Sequence, residues 1–152
     1  MIVRVNQDNI DEYENFIKKH PKGLFQHSSK WAKVKSAWKF EAVMLKDENG
    51  EIKGSASVLI RSIPIIKNSL MYCCRGFVCD ENDFDTFDKL FNALLELGKE
   101  YKAYCIKIDP EIVIQNETYK KHLIEKGFIE LNPGCMDFEN VQPRFVYCFD
   151  YN

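Results

Sequence analysis

The sequence predicts an α+β fold in which a mixed, largely antiparallel sheet is flanked by about four helices. Short β-branched runs and amphipathic helical segments alternate along the chain. In the middle, an Asn-Gly turn signal joins two long alternating runs, which is typical of a β-hairpin. The chain has 152 residues, about the length of one domain, and contains no linker or repeat. We therefore predict a single domain over residues 1–152.

The composition excludes several classes of protein. Hydrophobic residues make up 45% and charged residues 29% of the chain, which is ordinary for a globular protein. The net charge of −2 argues against overall affinity for nucleic acid. No apolar run reaches the ~18 residues of a membrane-spanning helix, and the N-terminus lacks a signal-peptide pattern. These features predict a cytoplasmic protein without a membrane-spanning segment.

The cysteines lack the spacing of a metal or redox site, because the sequence has no C-x-x-C pair. Most of them lie in apolar runs, where a free thiol behaves as a small buried hydrophobic side chain. We therefore expect no metal and no cofactor. The six cysteines are Cys73, Cys74, Cys79, Cys105, Cys135 and Cys148.

The first half of the chain contains two predicted helices and three predicted strands. The first helix begins near Asn9, whose spacing to Glu12 predicts a capping box. The second begins at Ser28 or Ser29, both candidate N-caps, and carries Trp31, Val34, Lys35 and Trp38. The predicted strands cover residues 2–5, 40–46 and 52–63.

The second half continues with strands and helices in alternation. A strand over residues 70–76 precedes the longest helix, whose start is rich in acids that suit the positive end of the helix dipole. A strand over residues 103–108 ends at Asp109 and Pro110, and a fourth helix containing Tyr119 ends at Gly127. Residues 128–131 and 144–151 are predicted as the closing strands.

Four segments resemble motifs of the FemABX family, in the same order and at similar spacing along nearly the whole chain. They are residues 25–35 (FQHSSKWAKVK), 72–80 (YCCRGFVCD), 107–111 (KIDPE) and 140–144 (NVQPR). Two positions differ from the family pattern. Cys74 and Phe77 replace the prolines that flank the Arg-Gly pair in the family, which predicts a less rigid turn.

The resemblance implies a fold and a function. Members of this family have two halves with the GNAT acyltransferase fold, and the resemblance covers the first half. They take an amino acid from aminoacyl-tRNA and attach it to the peptide stem of a peptidoglycan precursor, which is UDP-linked or lipid-linked. The implied partners are this precursor, aminoacyl-tRNA as donor, and a second half or a second copy of the chain.

Lys35 is the first residue to which the resemblance gives a role. The matching family lysine helps to bind the diphosphate-linked precursor, which implies the same role here. Lys35 lies four residues after Trp31, so a helix places both on one face, with Trp31 turned inward. The alternative for Lys35 is a buried stem with its ammonium group at the surface.

Arg75 is the second candidate for binding an anion. It precedes Gly76, whose missing side chain allows a ligand or another backbone to approach closely. A guanidinium group there can bind a phosphate or carboxylate through two parallel hydrogen bonds. An internal salt bridge is an equal alternative. The aromatic residues expected to line the same pocket are Trp31, Tyr72 and Phe77.

Lysines dominate the segment between Glu14 and Glu41, which contains no acid. Such a segment can hold phosphate groups, although a solvated helix face is the more common use of a lysine run. Asp109 is expected to cap the turn that follows its strand rather than to act in catalysis. The lysines of the segment are Lys18, Lys19, Lys22, Lys30, Lys33, Lys35 and Lys39.

The start of the longest helix argues against an acetyl-CoA site. GNAT acetyltransferases bind pyrophosphate there with a glycine-rich turn and free backbone N–H groups. Here the corresponding stretch, residues 78–85, contains four carboxylates, which repel a pyrophosphate. An aminoacyltransferase half is therefore the leading hypothesis. The alternatives are a non-catalytic GNAT-like binding or dimerisation module and an N-acetyltransferase with a divergent coenzyme site.

Overall fold

Five strands form one mixed sheet in the computed structural model, which describes residues 1–65, 67–113 and 115–131. The order of the strands in the sheet follows their order in the chain. Neighbouring strands are antiparallel except the last two, which are parallel. This confirms the predicted sheet. The strands are β1 (Ile2–Arg4), β2 (Lys39–Lys46), β3 (Ile52–Ile63), β4 (Asn68–Cys73) and β5 (Ala103–Ile108).

The described part of the chain contains four α-helices. They are α1 (Ile10–Lys19), α2 (Ser29–Val34), α3 (Phe84–Glu100) and α4 (Glu117–Glu125), with a 3-10 turn at Phe25–His27 before α2. None of these helices has the length and apolar character needed to cross a bilayer. The chain divides into two compact units, residues 1–116 and 117–152, of which the first contains the whole sheet.

Helices α1 and α3 cover opposite faces of the sheet. Met44 of β2 belongs to the core cluster that includes Tyr13 of α1. Its neighbour Leu45 points to the other face and pairs with Gly54 of β3. Gly54 lies against α3, because a Cβ atom added there would be only 2.7 Å from Thr86 Cγ2.

A network of charged and polar side chains joins the edge of the sheet to the C-terminal end of α3. Arg4 Nε donates a hydrogen bond of 2.9 Å to Glu41 Oε2, and the same guanidinium group donates to Glu100 at 2.9 Å. The Tyr101 hydroxyl also donates to Glu41, and Lys39 pairs with Glu41 at 3.1 Å. Burial alone would raise the pKa of Glu41, but the hydrogen bonds from Arg4, Tyr101 and Lys39 hold it below its usual value.

Helix α1 begins where the sequence predicts, but its predicted capping box is wrong. Asn9 is the N-cap residue, yet its side chain makes no cap hydrogen bond. Asn9 Oδ1 instead accepts from the Asn6 N–H at 2.8 Å, and its amide group donates to the Arg4 carbonyl. Glu12 forms an ion pair with Lys46 at 2.6 Å. Both side chains therefore bind neighbouring structure, which the local spacing does not reveal.

Helix α2 is shorter than predicted. Its N-cap is Ser28 as expected, and the Ser28 hydroxyl accepts from the Lys30 N–H at 3.1 Å. The helix ends at Val34, and Lys35 at the C-cap leaves helical geometry with φ −91° and ψ 52°. Trp38 therefore lies outside the helix, where the guanidinium carbon of Arg61 is 5.7 Å from the centroid of its ring.

The second unit begins with α4, which ends as predicted at a glycine in the left-handed region. Gly127 has φ +86°, and its N–H donates to the Ile124 carbonyl at 2.9 Å. The Phe128 N–H donates to Leu123 O, which completes the helix cap. The predicted strand over residues 128–131 is wrong, because this segment is irregular and its first N–H closes the helix.

Several sequence-based expectations fall outside the described residues. These are the strand at 144–151, the motif at 140–144, and Cys135 and Cys148. Of the described cysteines, Cys73, Cys74 and Cys79 are buried as expected, whereas Cys105 is exposed. The predicted extent of one domain over residues 1–152 stays a prediction.

Strand β4 ends three residues earlier than predicted, at a tight turn that contains Arg75 and Gly76. Both residues adopt left-handed backbone conformations, with φ 60° and 78°, so the strand cannot continue. A Cβ atom added at Gly76 would lie 3.0 Å from Pro110 Cα. The turn therefore packs directly on the chain that follows β5, and only glycine fits there.

We expect Gly76→Ala to destabilise the fold by more than the matched change Gly50→Ala. Gly50 also has a positive φ, +86°, but a Cβ atom there meets nothing within 4 Å. Backbone strain alone costs about 1–2 kcal/mol, and only Gly76→Ala adds a collision with Pro110. Urea unfolding of both variants measures the difference. Equal losses of stability would contradict the close packing of this turn.

The substitution Glu41→Gln should lower the free energy of unfolding by about 1–3 kcal/mol near neutral pH. Because the pKa of folded Glu41 lies below its usual 4.5, this stabilisation is present above that pH and is lost as the pH falls through the folded pKa. The difference from the wild type should therefore shrink in acid. Chemical unfolding across this range tests it, with the exposed Glu48→Gln as control. A difference that does not change with pH would refute the prediction.

Candidate functional site

Asp109 connects the carboxyl ends of the two parallel strands. The register of β4 and β5 places Cys73 beside Ile108, so the residues that follow both strands are neighbours. The Arg75 backbone N–H donates to Asp109 Oδ1 at 2.8 Å, and the Glu111 N–H donates to the Arg75 carbonyl at 3.3 Å. Asp109 thus holds the turn between β4 and α3, as well as ending its own strand.

The Asp109 carboxyl has an unusual electrostatic environment. Burial raises its pKa above the usual value, although hydrogen bonding from the Arg75 backbone and the Tyr72 side chain, and the positive charge of Arg75, oppose the change. The carboxyl is therefore easier to protonate than an exposed one.

The Arg75 guanidinium group forms no ion pair within 4 Å of a described carboxylate, although its positive charge acts on the nearby Asp109 and opposes the rise of the Asp109 pKa. Its Nε atom is buried without a hydrogen-bond partner among those residues. No ion pair found between described residues includes Arg75. The internal salt bridge considered from the sequence is thus not observed within this part. A partly buried guanidinium group with an unused donor is suited to an external anion.

The Cys74 thiol is affected by charges of both signs. Burial raises the pKa of Cys74, a hydrogen bond with Tyr72 lowers it, and the negative charge of Asp109 raises it. The positive charges of Arg75 and Lys35 lower it. The candidates Lys35, Tyr72 and Arg75 therefore all act electrostatically on the end of β4, together with Asp109.

Trp31 and Lys35 lie at the surface rather than facing inward as predicted. The Lys35 ammonium group is 5.2 Å from the centroid of the Trp31 ring, and Phe25 packs edge-on against the same ring at 5.0 Å. Trp31 is half-buried and Lys35 is exposed. The cause is the early end of α2, which turns Lys35 out of helical geometry and leaves its charge in water.

The other two aromatic candidates have different surroundings. Tyr72 is half-buried on β4, where it pairs with Lys107 of β5. The Lys107 ammonium group lies 5.8 Å from the centroid of the Tyr72 ring, which adds a third cation to the site. Phe77 is only 6% exposed and packs on Phe87 with ring centroids 4.6 Å apart. Phe77 therefore belongs to the core rather than to a surface pocket.

Sequence analysis assigned no role to His27, whose buried side chain lies against the turn that carries Arg75. The residue is 1% exposed; its Nδ1 accepts from the Leu24 N–H at 3.0 Å, and its carbonyl accepts from the Tyr13 hydroxyl at 2.6 Å. Burial lowers its pKa to about 4, opposed by backbone hydrogen bonding to Gly76, Leu24 and Cys74. His27 is thus neutral and lies against the turn that carries Arg75. Its place inside the FQH segment is the signal that could have found it.

Glu14 positions α2 beside the site. Its carboxylate accepts hydrogen bonds from the Ser28 hydroxyl at 2.7 Å, the Ser29 N–H at 2.8 Å and the Ser29 hydroxyl at 2.6 Å. Burial would raise the pKa of Glu14, but these hydrogen bonds lower it overall. The acid that borders the lysine segment is therefore occupied in fixing the N-terminus of α2.

The carboxylates at the start of α3 are engaged within the protein. Asp83 Oδ1 accepts from the Thr86 N–H at 3.0 Å and its Oδ2 accepts from the Thr86 hydroxyl at 2.7 Å. Glu81 pairs with Lys22, so this lysine is not available to a ligand. The anion position at the N-terminus of α3 is taken by Asp83 itself. Within the described ranges, no group of three or more potential metal ligands is found.

The sequence matches the FemAB family over residues 9–132. Relatives include the lipid II:glycine glycyltransferases of Staphylococcus epidermidis and Staphylococcus haemolyticus. The first is 36% identical over 120 residues, 77% of this chain and 29% of the relative. The second is 37% identical over 146 residues, 89% of this chain and 33% of the relative. The chain thus spans about a third of the length of these relatives.

Solved structures give the same result. A crystal structure of FemX matches 82% of this chain and 31% of its own with a TM-score of 0.72 and 30% identity. A probable acetyltransferase (TM-score 0.64, 13% identity) and an aminoglycoside acetyltransferase from a soil metagenome (0.65, 16%) match nearly the whole of both chains and show the fold alone. The fold is thus GNAT-like, and the chain belongs to the FemAB family.

Proposed function

We propose that the chain is the precursor-binding part of an aminoacyltransferase that extends the peptide stem of a peptidoglycan precursor. The observation that carries this proposal is the Arg75 guanidinium group at the end of β4, whose buried Nε atom has no hydrogen-bond partner among the described residues. Membership of the FemAB family and similarity to glycyltransferases named for lipid II support it.

The charges of the site fit a diphosphate-linked precursor, either UDP-linked or lipid-linked. Lys35 supplies a point charge, whereas the planar guanidinium group of Arg75 can donate two parallel hydrogen bonds to one phosphate. Tyr72 is placed to line the same region, with Lys107 above its ring. Trp31 packs beneath the Lys35 ammonium group and limits its motion.

The proposed chemistry needs little covalent assistance from this part of the protein. The amine of the peptide stem attacks the ester carbonyl of aminoacyl-tRNA. An amide bond forms, the ester C–O bond breaks, and the terminal tRNA hydroxyl leaves with a proton from the amine. Since the ester is already activated, positioning and oxyanion stabilisation dominate. We assign the donor site to a second half or a second copy of the chain.

A specific observation separates this proposal from a coenzyme A-dependent acetyltransferase. GNAT enzymes bind pyrophosphate through free N–H groups at a helix N-terminus. In this chain the Asp83 carboxylate accepts the Thr86 N–H, and a second anion beside it would meet like charge. A non-catalytic binding module stays the other alternative, because the catalytic residues are unassigned.

Calorimetric titration of the chain with a UDP-linked muropeptide tests the proposed site. We expect Lys35→Ala and Arg75→Ala each to weaken binding by about 10- to 100-fold, since each removes a hydrogen bond to a charged group. Lys99→Ala is the matched control, because it removes the same charge from an exposed lysine of α3 that pairs only with Glu96. Unchanged affinity of both site variants would refute the assignment.

A further inference from the structure

The surface between the 3-10 turn and α2 exposes apolar and basic side chains together. Phe25 is 62% exposed and Val34 is 69% exposed. Lys30 and Lys33 lie between them in sequence and are exposed as well. We call Phe25, Lys30, Lys33 and Val34 the α2 patch.

The geometry of α2 places Lys30 and Val34 on its outer side and Lys33, about 100° from Ala32, on one flank. Ala32 is the buried residue of the helix. With roughly 100° between successive residues, Lys30 and Val34 both lie about 160° from Ala32, on the side that faces away from the sheet. Phe25 lies next to this side, because it packs edge-on against Trp31 of α2. The patch is therefore one surface with an apolar and a basic component.

The positive charge of the α2 patch is not neutralised by ion pairs in the described part of the chain. No ion pair found there includes Lys30 or Lys33. No acid occurs between Glu14 and Glu41. The Glu14 carboxylate accepts hydrogen bonds from Ser28 and Ser29, and the charge of Lys30 also helps to lower its pKa, whereas Lys33 is not among the groups that act on it. On α3, by contrast, exposed lysines pair with acids on the same helix: Lys89 with Asp85 and Lys99 with Glu96.

We propose that the α2 patch docks this chain onto an anionic lipid surface. Lys30 and Lys33 contact the phosphates of the lipid headgroups, while Phe25 and Val34 enter the boundary between headgroups and acyl chains. The apolar component favours lipid over RNA, because an exposed valine side chain cannot form a hydrogen bond or ion pair with the phosphates of a nucleic acid. The docking needs neither the precursor nor catalysis, so it is independent of the proposed function.

Vesicle binding tests the proposal directly. The chain with Trp38→Phe retains Trp31 as its single tryptophan, since the sequence has two. Its fluorescence is followed on titration with vesicles of phosphatidylglycerol and phosphatidylcholine that contain no precursor. We expect a blue shift with these vesicles, none with pure phosphatidylcholine, and weaker binding at high salt.

Variants separate the patch from general charge attraction. Lys30→Gln with Lys33→Gln should weaken binding about 25-fold, at about fivefold per lysine, and Phe25→Ser about tenfold. The matched control is Lys89→Gln with Lys99→Gln, which removes the same charge from α3 and should change binding less than about twofold. Thermal unfolding verifies that each variant is folded.

Three results would overturn the proposal: no binding of the parent chain to anionic vesicles, equal weakening by the two double variants, or binding to a short RNA duplex without binding to vesicles. Affinity for a soluble UDP-linked muropeptide should be the same in the parent and in the Lys30→Gln, Lys33→Gln variant. Failure of precursor binding alone would count against the proposed function and leave the docking result standing.

Discussion

The hydrogen bond from the Arg75 backbone N–H to Asp109 Oδ1 fixes the part of the molecule on which the candidate site depends. It joins the ends of the two parallel strands, and Gly76 packs against Pro110 beside it. A non-glycine residue adopts a left-handed backbone only where its surroundings impose it, and Arg75 is such a residue. Buried His27 lies against the same turn. The arginine side chain is thus presented from a backbone that has little freedom to move.

Charged side chains are arranged differently at the N-terminus of α3 and at the end of β4. Acids at the start of α3 are used within the protein, as helix cap and as partner of Lys22. At the end of β4 no ion pair within 4 Å between described residues includes Arg75, and its buried Nε atom has no partner among them. The anionic ligand that we propose would find an unused donor there, whereas the N-terminus of α3 already carries the Asp83 carboxylate. The GNAT-like fold by itself would not have distinguished these positions.

The parts of the structure that the sequence predicted well are those determined by local patterns. The central hairpin, α3, β5 and the glycine that ends α4 all follow from periodicity and turn chemistry. The errors arise where tertiary contacts override local spacing: the Asn9 side chain binds the backbone of Asn6, and α2 stops at Val34. Lys107 and His27 both lie inside the family-like segments, but their contacts depend on parallel strand register and on burial, which those segments do not specify. The roles of Lys35, Tyr72 and Arg75 stay predictions, whereas Phe77 lies in the core, which its place in the motif did not reveal.

The most direct measurement of the central claim is a heteronuclear NMR titration that follows the Nε–Hε resonance of Arg75. If the guanidinium group binds the diphosphate of the precursor, adding a UDP-linked muropeptide will shift this resonance, and adding coenzyme A will leave it unchanged. Backbone amides of residues 80–86 should not respond to either ligand. A resonance that stays fixed with the muropeptide, together with shifts at residues 80–86 on adding coenzyme A, would contradict the account.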